Sequence, residues 1–176
     1  AKSFADGIEE NNKTRKDLDQ SITKQALEMV DENKKSTVVF SQKWHKGVVG
    51  IVASRLIESY YKPTIVLAEN DGLLTGSARS VHDFDLYEAI SKCAHLCQKF
   101  GGHKYAAGLS IKKENLHAFI IAFEKVVSET ITEDQLSAKI EVDMEIDIND
   151  VDEKLFRIIK QFAPFGPLNL APAFIS

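Results

Sequence analysis

Three consecutive apolar runs restrict this chain more than any other feature. "STVVFS", Ser36–Ser41, is short, β-branched and apolar enough for a buried strand. "GVVGIVASRLIESYY" follows at a length and spacing that suit a helix packed on a sheet, and it ends before Pro63, which cannot continue a helix. "PTIVLAEN" is a second apolar strand, closed by the turn Asn70-Asp71-Gly72, after which "LLTGSARS" is its expected hairpin partner. A strand, a helix and a strand in that order predict an α/β fold: a mixed β-sheet flanked by helices.

The rest of the chain extends this pattern. Leu18, Ile22, Ala26, Leu27 and Val30 share one helical face and predict a leading helix of about six turns, a linking segment over residues 1–34. Asp85 and Glu88 form a capping box ahead of Leu86, Ala89, Ile90, Cys93, Leu96, Cys97 and Phe100, whose spacing predicts one helix stopped by Gly101-Gly102. "AAGLSI" reads as a strand, and "ENLHAFIIAFEKVVSETI" as a helix with Leu116, Phe119, Ile120, Phe123 and Val127 inward. Ile140, Val142, Met144, Ile146 and Ile148 alternate with acids, which predicts a half-buried strand with an acidic outer face. A last helix, "VDEKLFRIIKQF", precedes a segment holding three of the four prolines, where Ala173-Phe174-Ile175 has strand character and no evident partner. The domains expected are 1–34, 35–131 and 132–176.

Charge and composition exclude several classes. At 176 residues the chain can bury one sizeable core. No run approaches the roughly 20 apolar residues of a membrane helix, and no apolar signal core opens the chain, so cytoplasmic residence is the expectation. Cys93 and Cys97, four apart, suit neither a long-range disulfide nor a complete zinc site and are expected as reduced core thiols. The net charge is −4, but ten acids between Glu129 and Glu153 face the single base Lys139, which leaves the first two thirds mildly basic. An anion site is compatible with that part of the chain.

Four glycine-bearing junctions are candidates for such a site: Trp44-His45-Lys46-Gly47, Gly76-Ser77-Ala78-Arg79-Ser80, Gly101-Gly102-His103-Lys104 and Ala106-Ala107-Gly108. Gly47 is expected to open a helix and offer its amide to a phosphate. Arg79 supplies a bidentate fork with a hydroxyl on either side, and His103 follows backbone that lets a ligand come close. Each has a plainer reading: Gly101-Gly102 as a helix stop, "GSARS" as a polar hairpin end, Trp44 as core. The dense acids lack any histidine among them and read as a solvated face, and no nucleophile–histidine–acid arrangement is present.

"WHKGVVGIVASRLIESYYKPTIVL", "GSARS", "FGGHKYAAGLSI" and "PFGPLNLAPAF", in that order, resemble the C-terminal half of the RecJ family of single-strand-specific DNA exonucleases, within the DHH phosphoesterase superfamily. The resemblance implies a DHH-associated domain after a linking helix, with the start of a truncated oligonucleotide-binding domain at the end. It implies a 5′→3′ exonuclease of DNA recombination and repair whose substrate is single-stranded DNA, with a helicase or single-strand-binding protein as further expected partners. No Asp-His-His occurs, so Mn2+ or Mg2+ is expected in a separate DHH domain, no cofactor in this chain, and no activity from this chain alone. By likeness Ser77, Arg79 and Ser80 hold the 5′ end, Gly101, Gly102 and His103 line the scissile region with His103 stabilising the phosphate, and Trp44 and His45 touch the strand. The ending departs from the family's Pro-Phe-Gly-x-Gly-Asn-Pro at Leu168 and Leu170, and no DNA contact is expected after Asp150. The rival likenesses are a DHH-family oligoribonuclease or phosphoadenosine phosphatase, and a noncatalytic nucleic-acid-binding module such as that of alanyl-tRNA synthetase.

Overall fold

A computed structural model describes the backbone of residues 2–176 and the side chains of residues 15–176. The family likeness also takes in "NNKTRK" of the leading helix, of which Asn11–Thr14 lie outside the described side chains. The chain forms two compact units, 1–137 and 138–176.

The first unit is an α/β layer. Its sheet consists of β1 (Thr37–Ser41), β2 (Thr64–Asn70), β3 (Leu73–Arg79), β4 (Cys97–His103) and β5 (Ala106–Lys112), in the order β1-β2-β3-β5-β4. Only β1 and β2 run parallel, joined by helix α2 (Val49–Tyr60); the other pairs are antiparallel, β2–β3 and β4–β5 as hairpins and β3–β5 between strands distant in the chain. Parallel neighbours need such a crossover, and this explains why the strand-helix-strand order is so legible in residues 36–70. The β2–β3 turn has Asp71 at φ 52 and Gly72 at φ 78, the pair of left-handed residues that a two-residue hairpin requires.

Both faces of β2 are buried because successive residues serve different cores. Ile65 and Leu67 join Leu74, Ala78, Ala107, Leu109 and Ile111 beneath α3 (Leu86–Lys92) and α4 (Leu116–Thr130). Val66 and Ala68 face the other way, against Val49, Val52, Ala53 and Leu56 of α2 and against Ile22 and Ala26 of α1 (Lys2–Leu27). The leading helix therefore packs on the first unit through Ile22 and Ala26. Asp19, with a side chain 5% exposed, accepts an ion pair from Arg55 at 2.7 Å and so ties α1 to α2. The boundary expected near residue 131 moves to 137/138, because the Asp134–Leu136 turn folds back: Gln135 Nε2 donates to the Asp83 carbonyl at 2.9 Å, and Leu136 packs on the core.

The helix expected over 86–100 is shorter. Asp85 caps it, accepting from the Glu88 amide at 2.9 Å, but it ends at Lys92, and a 3₁₀ turn at Ala94–Leu96 passes directly into β4. The apolar residues at helical spacing still reach the core, because a register shift between Cys97 and Lys99 rephases the strand: Cys97 pairs with Ile111, whereas Lys99 pairs with Ser110. Gly101 and Gly102 are thus strand residues and stop no helix. Both cysteines are free, and burial, with Cys93 nearby, pushes the Cys97 thiol up to about 11.

The second unit contains β6 (Met144–Glu145), α5 (Glu153–Lys160) and β7 (Phe174–Ile175). The long alternating strand expected over 140–149 contracts to two residues; Ile140 is 86% exposed and Ile148 67%. A single short partner cannot pair ten residues, and that partner is β7, parallel to β6, so Phe174–Ile175 does pair. Leu168, where the family likeness expects glycine, takes φ 67, the left-handed region that glycine fills at least cost. Among the described residues no helix is long and apolar enough to cross a membrane.

Candidate functional site

The register of three strands builds the site. Arg79 on β3 pairs with Ala106 on β5, and Ala106 pairs on its other side with His103 on β4. Directly paired residues project to the same face, so Arg79 and His103 share one face of the sheet, two strands or ~10 Å apart at their Cα atoms. One step along, Ser77, Gly108 and Gly101 form a second row; Thr75, Ser110 and Lys99 form a third. The α2 core covers this face over β1 and β2. Beyond it Gly108, Gly101, His103 and Lys99 are exposed, and Thr75, Ser77, Arg79, Ala106 and Ser110 are half-buried.

The first turn of α2 lies against the Arg79 end of this face. A Cβ on Gly50 would lie 3.0 Å from Arg79 Nη2 and 3.4 Å from Ser77 Oγ. Glycine therefore lets the helix start approach the guanidinium. Among the described residues no acceptor faces the Val49 and Gly50 amides, and no side chain caps the helix. The Val49 and Gly50 amides, the Arg79 guanidinium and the Ser77 hydroxyl are four donors at the positive end of the helix dipole, a set that suits an anion. Arg79 Nη1 donates to the Ala78 carbonyl at 2.9 Å, and no carboxylate among the described residues pairs with it. Its charge is unspent. Gly50→Ala is expected to push Arg79 aside without unfolding the chain, because the obstacle is the mobile end of a side chain; a thermal melt within a degree or two of the unaltered chain, together with weaker anion binding, checks this.

His103 is held by its own hairpin. Its Nδ1 accepts from the Tyr105 amide at 3.3 Å, which leaves the proton of a neutral ring on Nε2, pointing away from that contact. Gly102 takes φ 151, where a Cβ would lie 2.3 Å from the Ala106 carbonyl oxygen, so its role is to shape the hairpin that carries His103. Lys104 is paired elsewhere: Asp83 accepts from its Nζ at 3.0 Å, and this hydrogen bond raises its pKa.

The remaining candidates fall elsewhere. Ser80 does not flank Arg79 with a second hydroxyl; its Oγ donates to the Phe84 carbonyl at 2.7 Å, away from the face, because neighbouring residues in extended chain alternate sides. Trp44 is 4% exposed, and its indole N–H donates to Gln25 Oε1 at 3.0 Å, so it anchors the loop before α2 and presents no ring face to a strand. His45 is exposed on that loop, its Nδ1 accepting from the Gly47 amide at 3.1 Å. The Gly47 amide is thereby used, and the helix begins at Val49, so the free donors are those of Val49 and Gly50. Gly50 was the residue missed in the sequence; its signal was the spacing Gly47-x-x-Gly50 across a helix start. Among the described residues no group of three or more His, Cys, Asp or Glu assembles to hold a metal, and a face of cations and N–H donors does not fit one.

Comparison with known proteins places these features in context. The DHHA1 domain family matches residues 33–129, which include all five strands of the sheet. The single-stranded-DNA-specific exonuclease RecJ of Bacillus subtilis is 35% identical over 98% of this chain and 22% of its own length; that of Haemophilus influenzae is 32% identical over 99% and 32%. The crystal structure of RecJ in complex with Mg2+ from Thermus thermophilus superposes with a TM-score of 0.87 at 25% identity, covering 98% of this chain and 27% of that one. A crystal structure of exonuclease RecJ bound to manganese matches 74% of this chain and 33% of that one, with a TM-score of 0.69 at 27% identity. The chain spans about a fifth to a third of the length of the curated relatives it matches.

Proposed function

Because the chain belongs to the family of DHHA1 domains, we propose that it is the substrate-binding part of a RecJ-like 5′→3′ single-stranded-DNA exonuclease acting in the cytoplasm in recombination and repair. The observation that carries the reading is the shared row Arg79–Ala106–His103 beside the uncapped start of α2. Arg79, the Ser77 hydroxyl and the Val49 and Gly50 amides bind the 5′-terminal phosphate. His103, one strand further across, donates Nε2–H to a non-bridging oxygen of the next phosphate, the scissile one. The ~10 Å between the two Cα positions lets both side chains reach successive phosphates of one strand.

The charge-assisted fork orients the strand end and fixes polarity; the imidazole donor stabilises negative charge as it develops on the phosphoryl oxygens. A preorganised donor of this kind accounts for roughly 10²–10³ in rate. Hydrolysis and its Mn2+ or Mg2+ belong to another part of a longer protein, and a helicase or single-strand-binding protein would hand over the strand.

The test is a fluorescence titration of this chain with short single strands carrying or lacking a 5′ phosphate, at two salt concentrations. Phosphorylated strands should bind more tightly and lose affinity faster as salt rises. Equal affinity for both end types, insensitive to salt, would remove the phosphate site from the proposal.

A further inference from the structure

Two of the exposed glycines have no structural reason to be glycine. A Cβ built on Gly101 meets nothing within 4 Å, and one on Gly108 meets only the Gly76 carbonyl oxygen at 3.9 Å; neither residue has a positive φ. Glycine inside a strand costs about 0.5–1 kcal/mol relative to alanine. Gly101 and Gly108 are register partners on the edge strand β4 and on β5 beside it, so together they expose a flat patch of bare backbone. Strand-interior glycines mark a bulge, a bend or a site where a ligand approaches closely; the register shift lies at Cys97–Lys99, and Gly101 and Gly108 themselves pair in regular register.

This patch continues into a groove whose lining includes Thr75, Gly101, Gly108, Ser110 and Lys99. Lys99 is exposed, and no carboxylate among the described residues pairs with it, whereas the nearby Lys112 and Lys113 are held by Glu114 and Glu69. It reaches this face only because of the register shift beside Gln98. The groove's far end is marked by Asp71, which opposes an anion.

We infer that the groove is a second binding subsite, for the nucleotides on the 3′ side of the scissile phosphate. The sugar and base lie over the Gly101–Gly108 backbone, and Lys99, with the hydroxyls of Ser110 and Thr75, takes the phosphates that follow. From His103 to Gly101 and from Gly101 to Lys99 are steps of ~7 Å, two residues each along a strand, comparable with the spacing of phosphates in a stretched single strand. Asp71 ends the track after about two such steps. This subsite rests on the reading of Arg79 and His103 given above.

The experiment titrates this chain with 5′-phosphorylated oligodeoxynucleotides of increasing length, from two to six residues. In the unaltered chain affinity should rise between the dinucleotide and the tetranucleotide and then level off. Lys99→Ala should remove most of that rise, about fivefold, and lower the slope of log affinity against log salt by about 0.7, while leaving the dinucleotide unaffected. Gly108→Val and Gly101→Val should block the longer strands by at least about tenfold with unchanged thermal melting, since their side chains enter open space. Tetranucleotide affinity unaltered in all three variants would overturn the subsite while leaving the terminal-phosphate reading intact. A dinucleotide that fails to bind the unaltered chain, or binds equally well without its phosphate, would overturn that reading and this one with it.

Discussion

Arg79→Ala should sharply reduce discrimination between 5′-phosphorylated and unphosphorylated strands while leaving the melting temperature nearly unchanged. A hydrogen bond to a charged group is worth about 1.5–3 kcal/mol, and β3, β4 and β5 carry no other arginine, so phosphorylated strands should lose roughly 10- to 150-fold in affinity. Unphosphorylated strands should lose little. The side chain is half-buried yet bonded within the fold only to the Ala78 carbonyl, so stability has little to lose. Binding of both strand types by this chain and its Arg79→Ala and Arg79→Lys variants would check it. Lysine should recover part of the affinity, because it keeps the charge and loses the bidentate fork. An equal loss on both end types would mean that Arg79 holds the strand elsewhere than at its terminus.

The second large effect is on stability. Gly76→Ala should lower it by about 3 kcal/mol or more, a shift of order 10 °C in melting temperature for a unit of this size. A Cβ at this position would lie 2.0 Å from the Val66 carbonyl oxygen and 2.9 Å from the Leu67 Cα, and backbone atoms in the centre of a sheet cannot swing aside as a flexible side chain can. β2 and β3 would have to separate, and Ser77 and Arg79, the next residues on β3, would move with them. Thermal unfolding of Gly76→Ala beside Gly101→Ala measures the contrast: one glycine is demanded by the fold, the other by nothing within it.

Glycines thus carry three different meanings in this chain. Gly76 and Gly102 answer to close backbone, Gly50 to the tip of Arg79, and Gly101 and Gly108 to open space. In the sequence they read alike, as small residues near element ends. Only their surroundings separate them.

The sequence by itself determined whatever depends on near neighbours. Apolar periodicity placed α2, α4 and the strands β1, β2 and β5; Asp85 placed the start of α3; Asp71-Gly72 placed the hairpin; and the glycine-histidine and Trp-His-x-Gly runs pointed to the family. Each is a short-range choice of dihedral or cap, settled by adjacent residues. The tertiary structure decided which way those elements face. Residues 97–103 became an edge strand because β5 offered an unpaired side, against a helical spacing that reads just as well. That pairing put His103 opposite Ala106 and hence on the face of Arg79, and it brought Lys99 outward. The same packing turned Ser80 away and sank Trp44 into the α1–α2 core. Side-chain direction in a sheet reverses with every residue, so a shift of one position in register reassigns a whole row, and register is set by partners far along the chain.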